Sequence, residues 1–138
     1  MMRRLAVALA VAFALGAGLA GTPAPAARAA SIGDCPVPTF GSYYVCMWDG
    51  PNYTGHFVPW FAWGQPRNVC FALPASMTDR MTSVYYRTPA GSSEWVDFYD
   101  ISRCTGGGPI VQIVGGTSNG DLPAASDNKA SGLILRGW

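Results

Sequence analysis

Two short stretches of this 138-residue chain set oxygen-bearing side chains at matching intervals: DRMTS at 79–83 and NKASG at 128–132. The first offers Asp79 and Thr82; the second offers Asn128 and Ser131, with Asp127 just ahead of them. Carboxylate, amide and hydroxyl oxygens are what a hard cation such as calcium gathers, six to eight at a time. The plainer role is local, because Asp and Asn side chains bond nearby backbone and hold turns. Arg80 and Lys129 stand inside the two stretches and would put positive charge beside a bound ion. Calcium binding at these stretches is therefore expected to be weak.

A second chemistry lies in HFVPWFAWGQPR at 56–67, where Trp60, Phe61 and Trp63 crowd together. Side chains alternate along a strand, so the three cannot all enter one face. The aromatic surface left outside would suit a peptidase subsite or a sugar ring; the competing role is core packing plus a loop closing one end of the fold. His56, the only histidine, reads as a strand surface residue. Catalysis would need a base held beside a nucleophile, and neither G-x-S-x-G nor H-E-x-x-H occurs. Asp97 and Asp100, imagined as paired acids, fall on opposite faces of one strand and read as solvated strand-edge acids. TGGGPI precedes a strand rather than a helix, which argues against a phosphate loop. An enzyme is not expected.

The elements that position these groups begin after a leader. MMRR, the apolar run LAVALAVAFALGAGLA and the tail TPAPAARAA have the layout of a secretory signal peptide, and the run is too short and badly flanked for a spanning helix. Ala27, Arg28 and Ala29 supply a cleavage site, which assigns 1–29 to the signal peptide and 30–138 to the exported protein. Roughly 109 residues can bury one core but hardly two, so one domain is expected. After the leader, six basic and eight acidic side chains leave a balance of minus two. That composition gives no support for nucleic-acid binding. A monomer, secreted and free of the membrane once the signal is removed, is expected.

All four cysteines, Cys35, Cys46, Cys70 and Cys104, lie in the exported part, where disulfides are the usual outcome. Of the three possible pairings, the favoured one joins Cys35 to Cys46 over the first strand and Cys70 to Cys104 between the two halves. A metal site competes poorly, since no pair has C-x-x-C spacing.

SYYVCMW, GHFVPWFAW, NVCFAL, SVYYRT, EWVDFY, PIVQIV and GLILRGW read as short strands between Gly, Pro, Asn, Asp and Ser turns. The chain is thus all-β, a sandwich or barrel. An internal repeat sharpens this: WDGPNYTG at 48–55 aligns with YDISRCTG at 99–106, and TDRMTS at 78–83 aligns with DNKASG at 127–132. The offsets of 51 and 49 residues nearly agree, so both pairs belong to one duplication. In each unit an aromatic, Trp48 or Tyr99, can fold over a hairpin whose turn needs Gly55 or Gly106, and Thr82 or Ser131 is expected to close it by a bond to backbone.

These residues resemble the βγ-crystallin signature: an aromatic, four residues, an aromatic, one residue and Gly, followed by an Asp/Asn-rich segment ending in hydroxyl residues. Trp48, Tyr53 and Gly55 match it in the first unit; Tyr99 and Gly106 match in the second, where Cys104 replaces the aromatic. The resemblance implies a two-sheet sandwich of two intertwined Greek-key motifs, about 40–88 and 93–138. It also implies a calcium set of Asp79, the Arg80 carbonyl and Thr82, and a second of Asp127, Asn128, the Lys129 carbonyl and Ser131. The opening CPVPTFGSYYVCMWDGPNYTGHF and the later ALPASMTDRMTSVY are similar to peptidase inhibitor family thirty-six, which includes inhibitors of secreted metalloendopeptidases. That type of inhibitor frames its binding loop with a close cysteine pair, where this chain has Cys104 alone. The resemblance implies an inhibitor of extracellular peptidases, metalloendopeptidases in particular. The alternatives are a calcium-binding structural or cell-envelope module, and an antimicrobial or polysaccharide-binding protein.

Overall fold

The computed structural model describes residues 29–39 and 42–137. The signal peptide assigned from the sequence lies outside these residues except for Ala29. Aromatic and β-branched runs make eight strands: β1 (Tyr44–Gly50), β2 (Thr54–Phe61), β3 (Cys70–Ala72), β4 (Ser83–Arg87), β5 (Trp95–Tyr99), β6 (Val111–Val114), β7 (Ser118–Asn119) and β8 (Gly132–Arg136). Short 3-10 turns at Ile32–Asp34 and Pro51–Tyr53 are the only helical elements among the described residues. None is long and apolar enough to cross a membrane.

The strands form two four-stranded antiparallel sheets, ordered β2-β1-β4-β7 and β3-β8-β5-β6. Each half of the chain does the same thing. Its first, second and fourth strands share a sheet, and its third crosses to the sheet of the other half. Thus β3 pairs with β8 through Cys70 to Ile134 and Phe71 to Leu133, and β7 pairs with β4 through Val84 to Asn119. This is the βγ-crystallin-like sandwich of two exchanged Greek keys that the resemblance implies. The strand absent from the sequence reading is β7, whose two residues, Ser118 and Asn119, carry no apolar signal.

Alternation turns Val45, Met47, Val84 and Tyr86 of the first sheet toward Val96, Phe98, Leu133 and Leu135 of the second, and all eight are at most 1% exposed. Burial of each such side chain contributes about 1.5–3 kcal/mol. The other face of β1 is also closed, because the segment before it folds over Cys46 and Trp48. Cys35 bonds to Cys46, while Trp48 stacks on Phe57 at 5.0 Å and meets Tyr53 edge-on at 5.2 Å. Burial on both faces explains why YVCMW is an unbroken apolar run instead of an alternating one.

Two acids are built into the sandwich. Asp97, read from the sequence as a solvated edge acid, is 5% exposed and accepts from Gln112 and Arg136 at 2.8 Å each. Its strand is interior, with β6 and β8 on either side, so both neighbours reach the carboxylate. Those bonds, that to Asp97 first and then that to the Tyr99 hydroxyl, hold the Arg136 guanidinium more firmly protonated than usual. Glu94, just before β5, is 2% exposed, pairs with Arg67 and accepts from the Tyr86 hydroxyl at 2.9 Å.

Burial first, and then the bond to Glu94, push the Tyr86 phenol well above its ordinary pKa of 10.0. A group whose folded pKa is raised holds its proton in the fold after the unfolded chain has lost it, so stability falls with rising pH. Tyr86 therefore adds a decline that starts near pH 10, with a slope approaching ~1.4 kcal/mol per pH unit. Urea midpoints of the wild type minus those of Tyr86→Phe, followed from pH 8 to 11, should isolate that slope; parallel curves would show that the phenol titrates alike in both states.

Candidate functional site

At the end of the sandwich where β1 finishes, two hairpins fold over. Gly55 takes φ +81°, and a Cβ there would run into Asp49 Oδ1, which accepts the His56 N–H at 2.6 Å. Ser83 closes the hairpin, its Oγ donating to the Gly50 carbonyl at 2.7 Å and accepting the Tyr53 N–H at 3.1 Å. Thr82, expected in that role, reaches the Asp49 carbonyl only at 3.4 Å. In the second unit Cys104 takes the place of Tyr53, and Gly132 that of Ser83. A Cβ on Gly132 would lie 3.0 Å from Cys104 Sγ and 2.7 Å from the Ile101 carbonyl. The two departures from the repeat are thus one packing solution: the sulfur bonded to Cys70 fills the space that the serine side chain takes in the first unit.

Asp79 and Asn128 both adopt the left-handed conformation, with φ 54°, which Asp and Asn tolerate better than other residues with a side chain. Their N–H groups donate across the repeat, Asp79 to the Ala130 carbonyl at 2.9 Å and Asn128 to the Met81 carbonyl at 3.1 Å. The side chains cross as well. Ser131 Oγ donates to Asp79 Oδ1 at 2.6 Å, and Thr82 Oγ1 lies 3.4 Å from Asn128 Oδ1. Each oxygen cluster is therefore shared between the two segments, not drawn from one of them. Arg80 turns away to an ion pair with Asp49 at 2.7 Å, Lys129 is exposed, and Asp127 accepts from Asn128 at 3.0 Å through one oxygen. Its other oxygen, Oδ1, is buried without a hydrogen-bond partner.

That donor set fits a weakly held hard cation better than a tight one. The oxygens converge in pairs, but only Asp79 brings a carboxylate to its pair. Among the described residues no group of three or more His, Cys, Asp or Glu is placed to hold a metal.

The aromatic stretch is divided. Trp60 packs inward on Phe71 at 5.3 Å. Phe61, 45% exposed, lies with Tyr44 at 5.5 Å on the outer face of the first sheet. Trp63, 46% exposed, meets Tyr43 edge-on at 5.0 Å at the sandwich mouth opposite the hairpins. No single patch contains all three.

The loop at 100–109, read from the sequence as the turn of the second hairpin, is exposed throughout except for Cys104. Cys104 ties it to the sandwich through the bond to Cys70, and the Cys104 N–H closes a turn within it on the Ile101 carbonyl at 3.0 Å. Ile101, near the end of β5, is 43% exposed and lines a recess of about 230 Å³ together with Tyr99, Thr105 and Gly106. The loop's sequence signals, the Tyr99-to-Gly106 repeat of the first hairpin, Cys104 and the glycine run, indicate a turn and not by themselves a binding loop.

A strand-exchanged β-sandwich, closed by two disulfides and carrying a disulfide-tied exposed loop, defines a scaffold of the βγ-crystallin type. Residues 28–111 match the model of peptidase inhibitor family I36. The chain belongs to that family; it is a non-enzymatic protein of the peptidase inhibitor class, and its partner is a peptidase. No curated protein and no solved structure matches it.

Proposed function

We propose that the protein is secreted as a monomer and inhibits extracellular metalloendopeptidases, presenting the loop at 100–109 to the catalytic cleft. The observation that carries this reading is the Cys70–Cys104 bond that ties this exposed loop to the sandwich, with a turn inside it closed by the Cys104 N–H and the apolar Ile101 partly exposed. A loop already fixed in its bound shape loses little freedom on docking, which is how a small interface reaches high affinity. Two disulfides are in keeping with an oxidising, extracellular setting. The metalloendopeptidase target rests on the resemblance described above.

The test is titration of the oxidised protein, residues 30–138, against a thermolysin-type metalloendopeptidase cleaving a small peptide at constant calcium. Stoichiometric loss of activity with the protein intact is expected, and Ile101→Asp should weaken it about tenfold or more without lowering the melting temperature. Full inhibition by Ile101→Asp would move the contact to another loop. Inactivity at micromolar excess against metallo-, serine and cysteine endopeptidases would overturn the reading.

Calcium has a second, smaller place. The crossed pairs Asp79 with Ser131 and Asn128 with Thr82, together with the unpartnered Asp127 Oδ1, favour a weak stabilising ion. With a Kd of about 1 mM, ~10 mM calcium would add about 1.4 kcal/mol, roughly 5 °C in melting temperature. Calorimetry with and without calcium checks this. Asp79→Ala should abolish the rise, and an unchanged melting temperature in the wild type would leave these residues as turn holders only.

A further inference from the structure

The sandwich mouth opposite the hairpins holds an open pocket of about 380 Å³ lined by Tyr43, Trp63, Gly64, Gln65, Arg67 and Glu94. Inhibition by the loop at 100–109 makes no use of it, since the first residues of β1 and β5 lie at this end and their last residues at the other. The volume is at the lower end of the ~300–1,000 Å³ typical of small-ligand sites. Three features define what would enter. Trp63 meets Tyr43 through an edge and keeps nearly half its surface free, which offers a flat apolar wall. Glu94 and Arg67 neutralise each other, and the Tyr86 hydroxyl occupies the second carboxylate oxygen, so the floor is polar but carries no net charge. Arg67 is anchored through Nη2 alone, while its Nη1 is buried without a partner; a small rotation of the guanidinium would bring that donor to a ligand oxygen. The half-buried Gln65 adds an amide that can both donate and accept.

We propose that this pocket binds a neutral carbohydrate ring. A sugar has an apolar C–H face and a rim of hydroxyls that both donate and accept, matching an aromatic wall beside an Arg and a Gln. A charged ligand would enter a floor whose ions are already paired and would find no counter-charge, which makes its desolvation costly. An apolar peptide side chain would use the Trp63 wall and leave the donors at Arg67 and Gln65 without partners.

Tryptophan fluorescence titration of the oxidised protein with cellohexaose and chitohexaose, with oligogalacturonate as the acidic comparison, tests the assignment. A saturable change with at least one neutral oligosaccharide, at a Kd of about 0.1–1 mM, is expected. Trp63→Ala should weaken it about tenfold or more, and Trp63→Tyr should keep a measurable part, both still folded at the titration temperature and with unaltered peptidase inhibition. Absence of a saturable response to either neutral sugar, binding that survives Trp63→Ala, or tighter binding of oligogalacturonate would each overturn it.

Discussion

Glu94→Ala is expected to lower unfolding stability by about 3–5 kcal/mol, because it breaks a buried ion pair by removing one partner. The carboxylate, with its side chain 3% exposed, is the shared acceptor of the Arg67 guanidinium and the fully buried Tyr86 hydroxyl. Its removal leaves a guanidinium whose Nη1 is already unpartnered and a phenol with no acceptor, each carrying its own desolvation penalty. It also opens a cavity where Gly137 packs so closely that a Cβ would lie 3.0 Å from Glu94 Cγ. Glu94→Gln keeps an acceptor and a donor in place and should lose roughly half as much. Urea midpoints of the two variants would settle the matter. A loss below about 1 kcal/mol for alanine would mean that the pair is solvated and contributes as a surface bridge does.

Removing the Cys70–Cys104 bond as Cys70→Ala with Cys104→Ala is expected to lower stability by about 4 kcal/mol, on the chain-entropy account of a closed loop of this size. Its cysteines are 34 residues apart, against 11 for Cys35 and Cys46, and the same account gives the shorter loop about 3 kcal/mol. The difference matters because the longer bond also fixes the loop at 100–109. Affinity for the target peptidase should fall about tenfold or more, measured well below the melting temperature so that unfolding does not contribute. Alanine at Cys35 and Cys46, which lie on the outer face of the first sheet, should destabilise without that loss. If both double variants inhibit as the wild type does, the inhibitory contact is not on this loop.

Much of the architecture was legible because the duplication repeats local chemistry. An aromatic, a turn glycine and a distal hydroxyl recur at nearly constant offset, and together they announce two copies of one hairpin unit. What the pattern could not convey is which copy completes which. Asp79 and Ser131 are 52 residues apart, and only the exchange of β3 and β7 between sheets brings them together. Reading each segment as its own ligand set was therefore natural from sequence and differs from the fold. The burial of Asp97 escaped for a related reason: its partners Gln112 and Arg136 come from other strands, and strand order is not written in any one segment. Of the aromatic stretch, alternation correctly indicated that Trp60, Phe61 and Trp63 would part. It could not indicate that Trp63 would close one wall of a pocket whose floor comes from Arg67 and Glu94.

The exchanged third strands have a consequence for a protein whose partner is a peptidase. Opening one half of the molecule would withdraw β3 from β8 or β7 from β4, exposing a strand edge in the half that stayed closed. Partial opening is thus penalised on both sides at once, and the states in which a backbone segment lies extended and accessible are pushed toward the free energy of complete unfolding. Cleavage that needs a strand to open is thereby made as costly as unfolding, whichever half opens first.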